Sequence, residues 1–384
     1  MKVKNNDEDR KMTENKNKGR VIVGMSGGVD SSVTAALLKR EGYDVAGVIM
    51  QIYDNSTTIP EGAKHACFGP GEKEDLEDAR CVAEKLGIPL YTVDLRKQYR
   101  ENIITYFVNE YKAGNTPNPC AKCNREMKFG AILDELQKQG IPFDYFATGH
   151  YVRIVEDQQN HRLLLKKGLD HKKDQSYFLY HFKEEQMKRF IFPLGNYSKD
   201  EIRQLAKEFG ITVAEKAESQ DFIAGGYQQL FDDPGEPGPI VNSKGEVIGQ
   251  HKGMIYYAVG QRRGLGIAHE VPLYVIAKDA EKNTIVVGPQ EELLGTSLTA
   301  KDVTWINSDH LTQSLRLRAR IRYMSKEVEV EVKPLPGENN RVEVTFFEPQ
   351  SAISPGQVVV FYDDDVVLGG GIIETATPSS QGAK

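Results

Sequence analysis

Compact apolar runs alternate with amphipathic stretches over the first part of the chain. Residues 21–23, 45–51 and 90–95 are short apolar runs of the kind that form buried strands. Residues 31–40 and 72–86, which lie between them, repeat apolar positions at the spacing of an amphipathic helix. Strands and helices that alternate in this way predict an α/β domain built on a parallel sheet with helices on both faces.

One further strand and two further helices are predicted in the next part of the chain. Residues 143–148 form an apolar run that leads into Gly149 and His150, and helical spacing returns at 183–190 and 198–209. The carboxyl ends of parallel strands are where ligands bind in such sheets. We therefore expect Gly149 to lie at a ligand site. His150 is interpreted either as a residue that positions a ligand at that site or as a structural histidine.

Two β-rich units are predicted after residue 215. Turn-forming Gly, Pro and Asp residues accumulate there, above all at 232–239, and they separate short apolar runs typical of strands. The second unit is expected to close as a small barrel. The predicted order is a disordered extension, an α/β domain, a small central β domain, a C-terminal β-barrel and a frayed tail, at residues 1–19, 20–215, 216–295, 296–376 and 377–384.

Composition narrows the class of protein. The 384 residues carry a formal charge of -6, with 27% charged and 39% hydrophobic residues, and no apolar run is long enough to span a membrane. The first 20 residues are charged and lack the apolar core of a signal peptide, so a cytoplasmic protein is expected. Four cysteines are too few for a disulfide framework, which leaves redox, metal or catalytic roles for them.

A Gly-rich turn separates the first apolar run from the first amphipathic stretch. Its residues are Gly24, Met25, Ser26, Gly27, Gly28, Val29, Asp30 and Ser31. Glycines let backbone N–H groups approach phosphate oxygens, and the following helix N-terminus adds a positive dipole. No Lys follows the last Gly, as a Walker A loop would require. The turn instead resembles the PP-loop of the ATP pyrophosphatase superfamily, which predicts a pyrophosphate site. Asp30 either helps to hold Mg²⁺ or caps the helix.

An acidic protein that binds RNA needs a local basic patch, and one is visible in the last third of the chain. Arginines alternate with apolar residues there, at Arg316, Arg318, Arg320 and Arg322. On a strand they share one face, which is suited to a phosphate backbone. The alternative is that they pair with acidic residues of a neighbouring strand, at Glu327, Glu329 and Glu331.

Two cysteines share one turn in the segment 116–124. The spacing of Cys120 and Cys123 indicates redox or metal chemistry. Structural zinc is disfavoured because the remaining Cys67 and Cys81 are too widely separated to complete a zinc ribbon. A thioredoxin motif is disfavoured because it would open the domain, whereas here the Gly-rich turn already follows the first strand.

Six blocks of sequence, in order along the chain, resemble the tRNA-specific 2-thiouridylase (MnmA/TrmU) family. They are residues 24–31, 116–128, 147–151, 173–179, 257–266 and 354–357. The resemblance implies ATP-dependent replacement of the 2-oxygen of a wobble uridine by sulfur, in tRNAs of the Lys, Glu and Gln type. Uracil adenylation would release pyrophosphate, and sulfur attack would release AMP. ATP and Mg²⁺ are the implied cofactors, and the partners are tRNA and a sulfur donor, either sulfide or a sulfur-carrier protein.

The resemblance also assigns roles to residues. The ATP site would consist of the eight residues of the Gly-rich turn together with Met50 and Gly149. Cys123 would be the nucleophile. The tRNA contacts would be Asn118, Pro119, Cys120, His150, Lys173, Asp174, Gln175, Arg322, Tyr323 and Gln357.

Two departures from the family pattern concern sulfur transfer. Cys120 stands where the family commonly has Asp, and no thiol follows the Ser-Gln-acidic triplet at 219–221. The favoured prediction is that Cys67, Cys120 and Cys123 hold an iron–sulfur cluster. In a 4Fe-4S cluster, three thiolate ligands would leave one iron open to bind sulfide. The alternatives are a Cys120/Cys123 persulfide relay, zinc, or no role. Cys81 is interpreted as a small buried residue of its helix.

Two other functions stay open. A synthetase or amidotransferase with a PP-loop would adenylate its substrate but would need no cysteine pair. A noncatalytic RNA-binding protein would need no intact Gly-rich turn. Pyrophosphate release that depends on tRNA separates thiolation from both.

Overall fold

The computed structural model describes residues 18–63, 66–211, 221–233 and 235–378. Most of the predicted extension, most of the predicted tail and residues 212–220 lie outside the described residues. The predicted tail begins too early, because the last strand continues through Pro378. Thr377 and Pro378 pair there with Ser297 and Gly295.

A five-stranded parallel sheet forms the centre of the N-terminal domain, as the alternating pattern predicts. Its strands are β1 (Arg20–Gly24), β2 (Asp44–Gln51), β3 (Leu90–Asp94), β4 (Tyr145–Thr148) and β7 (Phe190–Ile191). They lie in the order β3-β2-β1-β4-β7. The apolar centre of β1 is fully buried, since Val21, Ile22 and Val23 are all inaccessible to solvent. Helices cover both faces of this sheet, so its strands are apolar on both sides.

The helices of the described residues are mostly short. They are α1 (Val29–Arg40), α2 (Glu72–Leu86), α3 (Arg96–Tyr99), α4 (Thr105–Lys112), α5 (Pro119–Cys123), α6 (Ile132–Lys138), α7 (Glu184–Met187) and α8 (Lys199–Glu208). Two π-helical segments, Arg100–Ile104 and Asn124–Ala131, connect α3 to α4 and α5 to α6. The helix predicted at 183–190 is shorter than expected because Phe190 joins β7 and pairs with Phe146 of β4. In the described part of the chain, no helix has both the length and the apolar character needed to cross a membrane.

The central β domain is a four-stranded sheet. Its strands are β8 (Gly238–Val241), β9 (Val247–His251), β10 (Tyr274–Asp279) and β11 (Thr284–Gly288), in the order β10-β11-β8-β9. A small core of its own, with Ile240, Val275 and Ile285 fully buried, holds it together.

The C-terminal domain is a closed barrel of six antiparallel strands. They are β12 (Leu294–Trp305), β13 (Leu315–Arg320), β14 (Val328–Leu335), β15 (Glu338–Ser351), β16 (Val358–Asp363) and β17 (Val366–Pro378). The order β12-β15-β14-β13-β16-β17 closes through pairing of β12 with β17. The α/β domain, central β domain and β-barrel predicted from the sequence are all confirmed.

A hairpin of the N-terminal domain extends the barrel sheet. Its strands β5 (Val152–Glu156) and β6 (Leu163–Lys167) follow β4 in the sequence, but β6 pairs with β17 through Val367 and Val366. The hairpin therefore joins the N-terminal domain to the barrel. The alternating pattern of the sequence did not indicate this pairing.

Buried charges hold the hairpin against the barrel. Arg320 of β13 contacts Asp174 at 3.1 Å and Glu327 at 2.8 Å. Lys167 of β6 contacts the same Glu327 at 2.5 Å. Asp174 is only 2% exposed and also accepts hydrogen bonds from Ser176. Arg316, at the other end of β13, pairs with Glu329. The acidic-pairing alternative is therefore correct for Arg316 and Arg320, which do not form a free phosphate-binding face.

This arrangement predicts a stability role for Arg320 rather than an RNA role. Arg320→Glu would place a third carboxylate beside Asp174 and Glu327, and we expect it to lower the free energy of unfolding by about 3–5 kcal/mol. Arg318→Gln, on the exposed part of the same strand, is the control, because it removes an arginine without placing a carboxylate opposite Glu329, and it should change stability by less than about 0.5 kcal/mol. Denaturant unfolding of both variants measures the difference. Equal stabilities would show that the buried charge network does not hold the junction.

Candidate functional site

A cavity of about 320 Å³ opens at the carboxyl edge of the parallel sheet. The Gly-rich turn, the end of β2 and the residues after β4 form its walls. Among its lining residues are Gly24, Met25, Ser26, Gly28, Val29, Asp30, Ser31, Met50, Cys67, Glu72, Lys128, Gly149, His150, Gln175 and Lys199. Most residues assigned to the ATP site by the sequence thus border one cavity.

The Gly-rich turn has the backbone geometry of an anion site. Gly27 adopts a φ of +66°, which favours glycine. A Cβ on Gly27 would also lie 2.5 Å from the carbonyl oxygen of Asp75 in α2. Gly28 is the N-cap of α1 and supplies no side chain to its first amides. Ser26 donates its backbone N–H to Ser31 Oγ at 3.1 Å, which ties the turn to the helix. The remaining N–H groups at this helix start favour a bound anion.

Asp30 forms an ion pair that neither sequence interpretation anticipates. Its two carboxylate oxygens lie 2.7 and 2.9 Å from Nζ of Lys199, at the start of α8. The hydroxyl of Tyr151 donates a hydrogen bond to Asp30 Oδ1 at 2.9 Å. The capping interpretation is wrong, because Gly28 is the N-cap and no side chain caps α1. The Mg²⁺ interpretation stays a prediction.

Gly149 and His150 close the cavity on the side of β4. A Cβ on Gly149 would lie 2.9 Å from the backbone of Asp30 and Ser31, so only glycine lets the two segments approach. The Thr148 hydroxyl lies 2.7 Å from His150 Nδ1. Burial, together with nearby Lys128 and His181, holds the pKa of His150 well below its ordinary value. The ring is therefore neutral at neutral pH and suited to hydrogen bonding rather than to charge pairing.

The cysteine pair lies on one face of a capped helical turn. Asn118 is the N-cap of α5, and its Oδ1 accepts a hydrogen bond from the backbone N–H of Ala121 at 3.0 Å. Pro119 occupies the first helical position, where a missing N–H costs nothing. Cys120 and Cys123 follow three residues apart, which places them on neighbouring positions of the same face. The chain then continues as a π-helical segment, a feature frequent at functional sites.

Cys67 approaches this pair from a different part of the chain. It lies on the cavity wall, and its segment is held by backbone hydrogen bonds from Cys67 to Asp221 and from Phe68 to Phe222. Burial raises the pKa of Cys120 to about 11, with a further contribution from Cys67. Burial likewise raises the pKa of Cys123 to about 12, opposed by Lys128. The structure thus brings the three thiols within electrostatic reach of one another, with Cys67 on the cavity wall.

Comparisons with known proteins match this architecture domain by domain. Family models described as tRNA methyl transferase HUP domain, tRNA methyl transferase PRC-barrel domain and Aminomethyltransferase beta-barrel domain match residues 19–224, 232–289 and 295–373. The tRNA-specific 2-thiouridylase MnmA 2 of Thermoanaerobacter sp. (strain X514) is 47% identical over 363 residues, which cover 92% of this chain and 98% of the relative. The chain belongs to the tRNA-specific 2-thiouridylase family. The resemblance drawn from the sequence is thereby confirmed, as is the prediction that the chain is an enzyme of this family.

Other relatives agree with this 2-thiouridylase assignment. The MnmA of Geobacter metallireducens (strain ATCC 53774 / DSM 7210 / GS-15) is 47% identical over 374 residues, covering 95% of this chain and 99% of the relative. Among solved structures, an NMN synthetase from Francisella tularensis is 19% identical, covers 56% of this chain and 76% of that chain, and has a TM-score of 0.32. That likeness is distant.

The 2-thiouridylase chain gives no support to the predicted iron–sulfur cluster. Over residues 18–63, 66–211, 221–233 and 235–378, no group of three or more His, Cys, Asp or Glu side chains is placed to hold a metal ion. The predicted iron–sulfur cluster and the zinc alternative are therefore unsupported. The interpretation of Cys81 as buried is wrong, since its residue in α2 is exposed. The helix that contains Cys81 was predicted, but Cys81 lies on the exposed side of that helix rather than on its buried side.

Several positions that the family resemblance assigns to tRNA lie close to the cysteines. The barrel loop at 354–357 packs on the segment before α5, where Thr116 donates its N–H to the carbonyl of Pro355 at 2.8 Å. Asn118 Nδ2 lies 3.5 Å from Gln357 Oε1. A residue of the barrel and a residue of the N-terminal domain, 239 positions apart, are thus in contact. Their contact with tRNA stays a prediction.

The remaining tRNA positions separate into exposed and buried groups. Arg322 is exposed and donates a hydrogen bond to the carbonyl of Ser351, while Tyr323 packs on Phe178 with ring centroids 4.5 Å apart. Lys173 is half-buried. Gln175 turns inward and accepts the N–H of Tyr151 at 3.0 Å.

Asp174 is the exception among these positions. It is buried and bonded to Arg320 and Ser176. Its contact with tRNA stays a prediction.

Two lysines of the cavity were missed by sequence reasoning. Lys199 is only 7% exposed and faces Asp30, from a point 169 residues later in the chain. Lys128 lies in the π-helical segment after the cysteines and on the cavity wall. The sequence offered one partial signal, since Ser198 and Glu201 form a capping box that marks the start of α8. No local pattern indicated that the start of α8 lies against Asp30.

The raised thiol pKa values predict unusual alkylation behaviour. Iodoacetamide should modify Cys120 and Cys123 slowly at pH 8 and faster as the pH approaches their pKa values of about 11 and about 12, because the thiolate is the reactive form. Because these thiols stay protonated in the folded state, the protein should lose stability as pH rises from roughly 8.5, where unfolded thiols ionise, towards those values.

Peptide mass spectrometry of alkylated protein at several pH values provides the measurement. The exposed Cys81 serves as an internal reference for reagent access. Modification of Cys120 and Cys123 at pH 8 as rapid as that of Cys81 would contradict the raised pKa values of the pair.

Proposed function

We propose that the protein replaces the 2-oxygen of the wobble uridine by sulfur in cytoplasmic tRNAs of the Lys, Glu and Gln type. The observation that carries this proposal is a single cavity lined by both the PP-loop and Cys67, with Cys120 of α5 within electrostatic reach of Cys67. Nucleotide chemistry and sulfur chemistry can therefore meet on one substrate base. Membership of the tRNA-specific 2-thiouridylase family supports the same reaction.

Activation of the base is the first step. A uracil carbonyl is a poor electrophile, and its oxygen is a poor leaving group. Attack of O2 on the α-phosphorus of ATP forms an adenylated uracil and breaks the bond to pyrophosphate. Amides of the Gly-rich turn and Mg²⁺ would stabilise the pyrophosphate as it leaves. Met50, at the end of β2, borders the cavity where the adenine is proposed to bind.

Sulfur transfer is the second step, and we assign it to a Cys123 persulfide. A persulfide-bearing sulfur carrier would pass its outer sulfur to the thiolate of Cys123 and leave as a thiol. The terminal sulfur then attacks C2 of the adenylated base, and AMP departs with the C2–O electron pair. Cys120 thiolate attacks Sγ of Cys123, which forms a Cys120–Cys123 disulfide and releases 2-thiouridine. An external thiol reductant restores both cysteines.

Protonation is the obstacle in this scheme, since burial favours the neutral thiols by raising the pKa of each. Lys128 acts in the opposite direction on Cys67, Cys120 and Cys123, because a nearby ammonium favours thiolate. We propose that Cys67 also takes part in sulfur transfer beside Cys120 and Cys123. Its electrostatic effect on this pair is the observation that favours a three-cysteine centre.

Anaerobic purification separates the relay from a three-cysteine centre. The relay predicts a colourless protein that holds no stoichiometric iron after reconstitution with iron and sulfide. A brown protein whose iron is lost in Cys67→Ala, but kept in Cys81→Ala, would contradict the relay and restore the cluster. Visible absorption together with iron and sulfide analysis gives the result.

Pyrophosphate release separates thiolation from the two rival functions. We expect ATP to yield pyrophosphate only when tRNA is present. An amidotransferase would instead release it with a small amine acceptor, and a noncatalytic RNA-binding protein would release none. The measurement compares three samples: enzyme with unmodified tRNA, enzyme with tRNA already thiolated, and enzyme alone. We expect pyrophosphate release in the first sample only.

A further inference from the structure

The Gly-rich turn lacks the lysine that a Walker A loop supplies, and Lys199 of α8 brings a lysine to this turn from a distant part of the chain. Its ammonium lies 2.7 and 2.9 Å from the two carboxylate oxygens of Asp30, inside the turn. Lys199 also borders the cavity together with Gly24, Ser26 and Gly28. A cation from the distant helix α8 is thus delivered to the anion site.

Several contacts fix the position of this ammonium. Ser198 and Glu201 form a capping box at the start of α8, and the N–H of Lys199 donates to Asp170 Oδ2 at 3.1 Å. Tyr151 bonds to Asp30 through its hydroxyl and lies under the ammonium, with 5.8 Å between Nζ and the ring centroid. The side chain is 9% exposed, so its charge is poorly screened by water.

Charge balance explains why the anion site needs this residue. An unpaired carboxylate two positions after the last glycine of the turn would repel the phosphates that the backbone amides attract. Lys199 neutralises Asp30, and its ammonium borders the cavity, where a cation attracts phosphate oxygens. A purely structural ion pair would not require a position on the cavity wall.

We propose that Lys199 binds the β- and γ-phosphates of ATP and stabilises pyrophosphate as it leaves, with Asp30 and Tyr151 holding it in place. The inference rests on the proposed use of ATP and adds to it the residue that does the work of the absent loop lysine. It concerns only the binding of ATP phosphates and does not depend on how sulfur is delivered.

The test compares three ligands in the absence of tRNA. Calorimetric titration of the full chain with ATP, AMP and pyrophosphate, each with Mg²⁺, is carried out on wild type, Lys199→Met, Lys199→Arg and Lys207→Met. Lys207 lies on the same helix but is exposed, which makes it the matched control. Loss of a hydrogen bond between charged groups should weaken ATP and pyrophosphate binding by about 10- to 100-fold in Lys199→Met. AMP binding should stay unchanged, and Lys199→Arg should recover part of the loss.

Other outcomes overturn the inference in recognisable ways. An equal loss for AMP and ATP would show that Lys199 only shapes the turn, and no loss for either would make the ion pair structural. Circular dichroism checks that Lys199→Met folds. If it does not fold, Lys199→Gln takes its place in the titrations. Pyrophosphate affinity in Lys199→Gln that equals or exceeds that of wild type would overturn the inference. Wild-type protein that binds none of the three ligands would refute the proposed function as well, whereas loss of thiolation alone would leave the result on Lys199 intact.

Discussion

Cys123→Ser is expected to abolish tRNA thiolation while ATP binding stays intact. A serine hydroxyl can carry no persulfide sulfur, and its conformational demands in α5 are close to those of cysteine. Cys123 lies in α5 and is not among the residues that border the nucleotide cavity, so its replacement leaves the Gly-rich turn unchanged. Radiolabelled sulfur incorporation into tRNA measures the first effect, and calorimetric titration with ATP measures the second.

Cys81→Ser is the matched control for this prediction. Cys81 is exposed on α2, and its loss should leave thiolation at the wild-type rate. Full activity of Cys123→Ser would remove Cys123 from the sulfur path. Equal loss of activity in both variants would point to a general sensitivity of the protein to thiol replacement.

Gly27→Ala should greatly weaken ATP binding. The φ of +66° at Gly27 costs about 1–3 kcal/mol for a residue with a side chain. The added Cβ would also lie 2.5 Å from the carbonyl oxygen and 2.6 Å from Cα of Asp75, both backbone atoms of α2 that cannot rotate away. The Gly-rich turn must therefore move, and the amides that it directs into the cavity move with it. We expect ATP affinity to fall by at least roughly 10-fold, which corresponds to about 1.4 kcal/mol.

Gly140→Ala isolates the backbone strain from the steric clash. Gly140 has a similar φ of +69°, but nothing lies within 4 Å of the place that a Cβ would take there, and it follows α6 away from the cavity. The substitution should lower thermal stability without changing ATP affinity. If Gly27→Ala binds ATP as tightly as Gly140→Ala does, close packing of the turn on α2 is not needed for the site.

Local sequence patterns predicted the parts of the site that depend on local geometry. The Gly-rich turn lies between a buried strand and a helix because glycine spacing and apolar periodicity act within a few residues. Asn118 and Pro119 mark the start of α5 through a cap and a first-turn proline, local signals that were not used to predict this helix. The closed barrel also followed from the succession of short apolar strands.

Features that depend on distant pairing were not predictable in this way. The ion pair of Asp30 with Lys199 joins residues 169 positions apart, and no periodicity connects them. The pairing of β6 with β17 joins a hairpin of the first domain to the last strand of the barrel. The arginines of β13 share a face as alternation requires, yet their partners were decided by the register with β14 and by the buried Asp174. Cys81 shows the remaining difficulty, because a polar-rich helix leaves its buried face ambiguous.

Nucleoside mass spectrometry of the reaction product tests the central claim most directly. Unmodified tRNA is incubated with the protein, ATP, Mg²⁺, a persulfide donor and a thiol reductant, then digested to nucleosides and to anticodon-containing fragments. The account predicts 2-thiouridine at the wobble position, formed with one AMP and one pyrophosphate for each sulfur inserted and absent with Cys123→Ser. Pyrophosphate release without any thiolated nucleoside, or sulfur at another position of the tRNA, would contradict it.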